Sequence, residues 1–241
     1  MTQNDKSDDG TSSKTRITTA NAVLIACAAH VVLSISDGFF KESLHRYSDL
    51  AFWIFDFAKF IAVPIVVLVW LWRAYSITSA SYGLRSFGKS DNWAELLGLT
   101  LFLAVVLYAA YEVSLHIAWY WASRIFHLQS TAPFYTAIMP DGWRHFTVAL
   151  YYGVSAGFAE EISFRGLPLL YIRERFGIEK PGWKYVVVTS LLFAAAHWEN
   201  GPHELVATFA FGVVASVFYL KLRDLRPLVA AHALIDVWHF S

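Results

Sequence analysis

Long apolar runs, separated by short polar segments, divide the chain into seven candidate membrane spans. They lie at about residues 18–36, 50–72, 94–120, 146–172, 183–198, 204–220 and 227–240. A helix needs about 20 apolar residues to cross a bilayer, and most of these runs approach that length. The third run is long enough to break and the last is short, so six to eight spans are expected. The pattern predicts an all-α, polytopic helical membrane protein.

The polar segments between the runs indicate the domain organisation and the orientation. The Gly-, Ser- and Thr-rich start predicts a disordered tail at residues 1–16, followed by a single transmembrane domain at residues 17–240. Lys and Arg are concentrated in alternate loops, and this asymmetry places the N-terminus in the cytoplasm. The polar tail and the compactness of the chain are typical of a bacterial protein, so we expect an integral protein of the bacterial inner membrane.

The composition supports a membrane protein and excludes several classes of function. Charged residues make up 16% of the 241 residues, and hydrophobic residues 56%, whereas a soluble domain usually has about 25% charged residues. The formal net charge of zero gives a nucleic-acid partner no electrostatic support. The single cysteine, Cys27, excludes an intrachain disulfide and a thiolate metal cluster.

Charged side chains within the spans are candidates for function, because a charge at membrane depth costs about 2.5–3.5 kcal/mol. On the second span, Asp56 and Lys59 stand at i and i+3 and are expected to form a structural pair. On the fourth span, Glu161 precedes Arg165 by four residues, which favours an ion pair. Glu160 is rotated by about 100° from Glu161, so it stays available to residues of other helices.

Polar groups on two later spans can meet Glu160. His197 ends the fifth span, and His232 and Asp236 stand at i and i+4 on the seventh. A carboxylate beside a neutral histidine can deprotonate water, and a second polar pair can stabilise the oxyanion that forms when water attacks a carbonyl. The same four residues are also a plausible zinc set. The chain contains neither a Gly-x-Ser-x-Gly elbow nor a His-Glu-x-x-His motif.

These residues fall into three short motifs on successive helices. They read "EEISFR" from Glu160 to Arg165, "FAAAH" from Phe193 to His197, and "HALID" from His232 to Asp236. In order, spacing and membrane depth, the motifs resemble those of the CAAX protease and bacteriocin-processing (CPBP/Abi) family of glutamic-type intramembrane proteases. The resemblance covers about residues 146–240, which would form the catalytic core, and it implies an intramembrane active-site cavity.

The resemblance implies a role for each matching residue. Glu160 would be the general base that activates water, and His197 would help to hold and polarise that water. Glu161 and Arg165 would form the supporting pair. The third motif, at residues 232 and 236, would form the oxyanion side of the site.

The last position of the third motif departs from part of the family. In the eukaryotic CAAX prenyl endopeptidases this position is Asn, an amide donor, whereas an ionised Asp cannot donate a hydrogen bond. Asp236 would therefore either be protonated, which burial favours, or orient His232 by accepting a hydrogen bond from it.

The implied function is hydrolysis of peptide bonds near the C-terminus of membrane-associated protein substrates by glutamate-activated water, without a cofactor. The expected partners are a protein or peptide with a membrane-associated C-terminal segment and the lipid bilayer. The alternatives are a non-catalytic scaffold or immunity protein of the same family, a zinc-dependent hydrolase, and a proton-relay transporter, which no internal repeat supports. The orientation puts residues 199–203 outside, which favours processing of exported proteins.

Overall fold

A computed structural model describes residues 9–88, 92–126, 134 and 138–241, and the regular structure in these ranges is helical. The helices are α1 (Asp9–Tyr47), α2 (Asp49–Phe57), α3 (Val63–Tyr75), α4 (Trp93–Phe126), α5 (Trp143–Glu161), α6 (Leu167–Phe176), α7 (Trp183–Ala195), α8 (Pro202–Leu222) and α9 (Arg226–Phe240). Of the tail predicted at residues 1–16, residues 1–8 lie outside the described residues, and α1 begins at Asp9.

The helices follow the apolar runs of the sequence and confirm the polytopic helical fold. Two π-turns, at Ala58–Ala62 and Ile162–Gly166, join α2 to α3 and α5 to α6. In the part of the chain that the structure describes, four helical segments are long and apolar enough to cross a membrane, and they span Thr15–Tyr47, Asp49–Tyr75, Trp93–Ile125 and Pro202–Leu222. The long third run forms one continuous helix, α4. Large apolar side chains are exposed along these helices, as expected of surfaces that face lipid.

Five helix pairs bring the C-terminal half of the chain together with α1 and α4. Helix α5 packs against α9, α4 against both α8 and α9, α7 against α8, and α1 against α6. The largest cluster of buried apolar side chains includes residues of α1, α4, α6, α8 and α9. The parts of α5, α7 and α9 that carry the three motifs therefore belong to one packed unit.

Two glycines allow α5 and α9 to approach closely. A Cβ added at Gly153 would lie 2.6 Å from the carbonyl oxygen of Ala233, and one added at Gly157 would lie 3.0 Å from the backbone nitrogen of Ala233 and from the carbonyl oxygen of Val229. The two glycines are separated by one helical turn on α5. They therefore form a small-residue surface of the kind that lets the backbones of two membrane helices come into contact.

The two π-turns free backbone carbonyls that side chains of other helices satisfy. The carbonyl of Arg165 accepts a hydrogen bond of 2.8 Å from the Tyr185 hydroxyl. The carbonyl of Lys59 accepts one of 3.2 Å from His30 Nδ1. Within a membrane such groups need a partner inside the protein. The π-turns are therefore supported by packing against α7 and α1, and each of them carries a buried cationic residue.

The close approach of α5 and α9 predicts that Gly153→Ala is destabilising. The added methyl group has no space against the α9 backbone, and overpacking of this kind costs about 1–3 kcal/mol. Unfolding in detergent micelles measures the loss. The matched control is Gly98→Ala in α4, where a Cβ meets nothing within 4 Å and better helix propensity is expected to leave stability equal or higher. Equal stability of the two variants would contradict the prediction.

Candidate active site

Glu160 and Glu161 lie at the buried end of α5, immediately before the π-turn. Glu160 is 6% exposed and Glu161 is fully buried. Apolar and aromatic residues place this turn in the interior, and the helix geometry gives the two carboxylates different neighbours. The adjacent acids of the sequence therefore occupy two different environments.

Glu161 is part of a buried charged pair. Its Oε1 lies 3.2 Å from Nη1 of Arg165, and both side chains are inaccessible to solvent. The guanidinium lies over the ring of Phe193, at 4.3 Å from the centroid, and 5.9 Å from that of Phe211. Cation–π attraction strengthens when it is desolvated, so these rings stabilise the buried cation. This contact gives the Phe of the "FAAAH" motif a physical role.

His232 joins the two carboxylates to α9. Its Nδ1 is 2.9 Å from Oε1 of Glu161, and because a carboxylate oxygen accepts, Nδ1–H is the donor. Its Nε2 is 3.8 Å from Oε2 of Glu160 and 3.6 Å from Oδ2 of Asp236. Both distances exceed a direct hydrogen bond. Glu161 thus fixes the imidazole ring, and the other nitrogen stands between Glu160 and Asp236.

His197 follows α7 at the start of the 3₁₀ turn formed by Trp198–Asn200. Its Nδ1 lies 2.9 Å from the carbonyl oxygen of Phe193. A carbonyl only accepts, so Nδ1 carries the proton, and Nε2 of the neutral ring is an acceptor. The ring also packs on Phe193, with centroids 4.8 Å apart.

One cavity of about 1060 Å³ is lined by all four residues predicted to be catalytic. They are Glu160, His197, His232 and Asp236. The structure thus brings the three motifs to one place, while the catalytic roles remain predictions. As the side chains lie, no group of three His, Cys, Asp or Glu residues within the described ranges is arranged to hold a metal ion.

Further charged and polar residues line the same cavity, including Asp37 and Lys59. The sequence suggested a pair between Asp56 and Lys59, but Lys59 Nζ lies 2.7 Å from Oδ2 of Asp37 on α1. Asp56 accepts a hydrogen bond of 2.8 Å from the Tyr151 hydroxyl on α5. Both buried carboxylates therefore connect different helices, which their spacing along the chain does not reveal.

The sequence did not predict the hydrogen bond between Glu161 and His232, which are 71 residues apart. It also missed Phe211, whose ring centroid lies 4.9 Å from that of His232. Each motif by itself indicates only contacts within one helix. The sequence could indicate only that the motif with the two glutamates and the motif with His232 meet in one site. It does not specify which glutamate forms a hydrogen bond with the histidine.

A comparison with known protein families finds a match for the segment that carries the three motifs. Residues 142–238 match the model of a family described as type II CAAX prenyl endopeptidase Rce1-like. The match includes all three motifs and confirms the resemblance found in the sequence. No curated protein and no solved structure matches the chain. The apolar helices indicate an integral membrane protein, and its segment 142–238 is similar to the Rce1-like CAAX prenyl endopeptidases.

The buried Glu161–Arg165 pair predicts a large effect of Arg165→Met. Removal of the guanidinium leaves a buried carboxylate without its cation, and breaking a buried pair costs about 3–5 kcal/mol. The free energy of unfolding in detergent micelles measures this loss. Arg46→Met is the control, since Arg46 forms an exposed pair with Glu42 at 2.8 Å that is worth at most about 1 kcal/mol. A similarly small loss for Arg165→Met would contradict a stabilising role of the buried pair.

Proposed function

We propose that the protein is an intramembrane endopeptidase that hydrolyses peptide bonds near the C-terminus of membrane-associated protein substrates. The observation that carries the proposal is the different environment of the two adjacent glutamates. Glu161 is held by Arg165 and His232, whereas Glu160 lines the cavity beside the second nitrogen of His232. One carboxylate is therefore structural and the other is available for chemistry.

The proposed reaction starts with Glu160 as the general base. Glu160 takes a proton from water while the water oxygen bonds to the carbonyl carbon of the substrate, and the electron pair of the C=O bond moves to its oxygen. His197 accepts a hydrogen bond from the same water through Nε2, because its Nδ1 is committed to the Phe193 carbonyl. The electron pair of the oxyanion then re-forms the C=O bond, the C–N bond breaks, and Glu160 gives its proton to the leaving nitrogen.

The oxyanion side of the site is assigned to His232 and Asp236. Glu161 already orients His232 through Nδ1, so Asp236 is not required for that purpose. The separation of 3.6 Å between Asp236 Oδ2 and His232 Nε2 leaves both groups able to contact a reacting oxygen. Asp236 in its protonated form, or His232 as the imidazolium that donates through Nε2, would stabilise the negative charge.

The location of the site in the membrane domain indicates the class of substrate. We expect a protein whose C-terminal segment lies in or on the membrane, because the site belongs to the membrane domain. The distribution of Lys and Arg favours a cytoplasmic N-terminus in a bacterial inner membrane. This orientation puts residues 199–203, next to His197, outside and favours substrates that have been exported.

Glu160→Gln is expected to lower the rate of peptide cleavage by about 10²–10⁴-fold, the range of general base catalysis. The amide keeps the shape of the side chain and cannot take the proton. The measurement compares the C-termini of membrane and secreted proteins by mass spectrometry between cells with native protein and cells with the variant, followed by cleavage assays with purified protein.

The matched control for that comparison is Glu95→Gln, an identical change on the exposed start of α4. It is expected to keep full activity. Identical C-terminal profiles for native protein and Glu160→Gln, with both proteins present and folded, would overturn the proposal and favour a non-catalytic scaffold or immunity protein.

Chelation of divalent metals is expected to leave the rate of cleavage unchanged. The proposed chemistry uses a carboxylate as the base and imidazole and carboxyl groups as its partners, so no step depends on a bound cation. Purified protein is treated with 1,10-phenanthroline, and a non-chelating phenanthroline isomer is the control. Loss of activity that added zinc restores would instead support the zinc-dependent alternative.

A further inference from the structure

The segment that carries His197 is attached to α1. Trp198 Nε1 donates a hydrogen bond of 2.9 Å to the carbonyl oxygen of Ile35, and its ring lies 4.6 Å from that of Phe39 between centroids. Lys41 Nζ lies 2.6 Å from Oε1 of Glu199. All three contacts come from the two residues that follow His197, and all three reach α1.

A glycine on α1 makes this approach possible. A Cβ at Gly38 would lie 2.9 Å from the Trp198 indole and 3.0 Å from Cβ of Glu199. Any larger residue at this position would push the turn away from α1. Gly38, Lys41, Trp198 and Glu199 together are called the α1–turn contact below.

The ion pair of this contact is buried. The side chain of Lys41 is 3% exposed and that of Glu199 is 14% exposed, so water screens their attraction far less than it screens a surface pair. The two side chains also line the cavity that contains Glu160 and His197. The Lys41–Glu199 ion pair therefore lies in the lining of the cavity and holds the turn against α1.

His197 depends on this turn for its position. It lies beyond the end of α7 and has a backbone conformation outside the helical region, with φ −117° and ψ 16°. The hydrogen bond from Nδ1 to the Phe193 carbonyl sets the ring relative to α7, while the following residues are held by α1. A shift of the turn would move the imidazole relative to Glu160.

From these contacts we infer that Lys41 and Glu199 are positioning residues for His197, through the α1–turn contact. The inference rests on the proposed function, in which His197 holds the attacking water. It also goes beyond the segment that matches the family, because α1 lies outside residues 142–238. The N-terminal helix thus contributes to catalysis by positioning a group of the site.

The first test measures cleavage by Lys41→Met, His197→Ala and the double variant. A misplaced catalytic group costs up to about 100-fold in rate, so Lys41→Met is expected to lower kcat by about 10- to 100-fold and to change KM little. In the His197→Ala background the same change is expected to have an effect below about twofold, because residues that act together are not additive. Lys41→Arg, which keeps the cation, is expected to retain most of the activity.

Arg46→Met is the matched control, since it removes a cation from an exposed pair on the same helix. It is expected to keep native kcat. If Lys41→Met lowers kcat equally with and without His197, its effect does not pass through His197 and the inference is wrong. Native kcat in folded Lys41→Met would also overturn it.

A second test does not depend on catalysis. Hydrogen exchange of the Trp198–Asn200 turn is expected to be faster in Lys41→Met and in Gly38→Leu than in Arg46→Met. Unchanged exchange in both variants would overturn the α1–turn contact whatever the kinetics show. Faster exchange in a protein whose native form cleaves no substrate would support the contact and reject the proposed function, so the two failures are distinguishable.

Discussion

The close contact of α5 and α9 is the constraint on which the site depends. Gly153 and Gly157 bring the helix backbones together at a distance that no side chain would permit. Only at that distance does His232 reach Glu161 with a hydrogen bond of 2.9 Å. A wider spacing would leave the Glu161 carboxylate and the His232 imidazole buried without the hydrogen bond between them, which is expensive in an apolar interior.

The two buried cations of the π-turns are each paired with an acid, which belongs to another helix or to the preceding turn. Arg165 faces Glu161 and two aromatic rings, and Lys59 faces Asp37 on α1. These contacts cost desolvation energy, and a buried pair is weak evidence for stability. Their value is specificity of packing, because the helices fit together in the register that pairs these groups.

The sequence predicted the helices and the three motifs because both are local properties of the chain. Apolar runs of membrane length appear directly in the composition of each segment, and the four-residue spacing from Glu161 to Arg165 implies a shared helix face. Contacts between helices could not be predicted from the sequence. The partner of Lys59 is Asp37 on α1, and the ring of His232 is fixed by Glu161, 71 residues earlier. Spacing along one helix carries no information about such distant partners.

The roles of the glycines illustrate the same limit. Gly38 has no pattern in the sequence that separates it from Gly98, yet a Cβ at Gly38 would collide with a neighbour and one at Gly98 would meet nothing. The difference comes from the neighbouring backbone or side chains of distant segments. The fold is thus predictable from single segments, whereas the fine geometry of the site depends on pairs of segments.

The π-turn at Ile162–Gly166 changes which face of one long helical segment packs against its neighbours. An additional residue in a turn advances the helical phase by about 100°, so the face presented before the turn does not continue after it. The stretch before the turn, α5, packs on α9, and the stretch after it, α6, packs on α1. One continuous helical segment thereby packs against two different helices, and the two glutamates stand immediately before the turn that separates the two contacts.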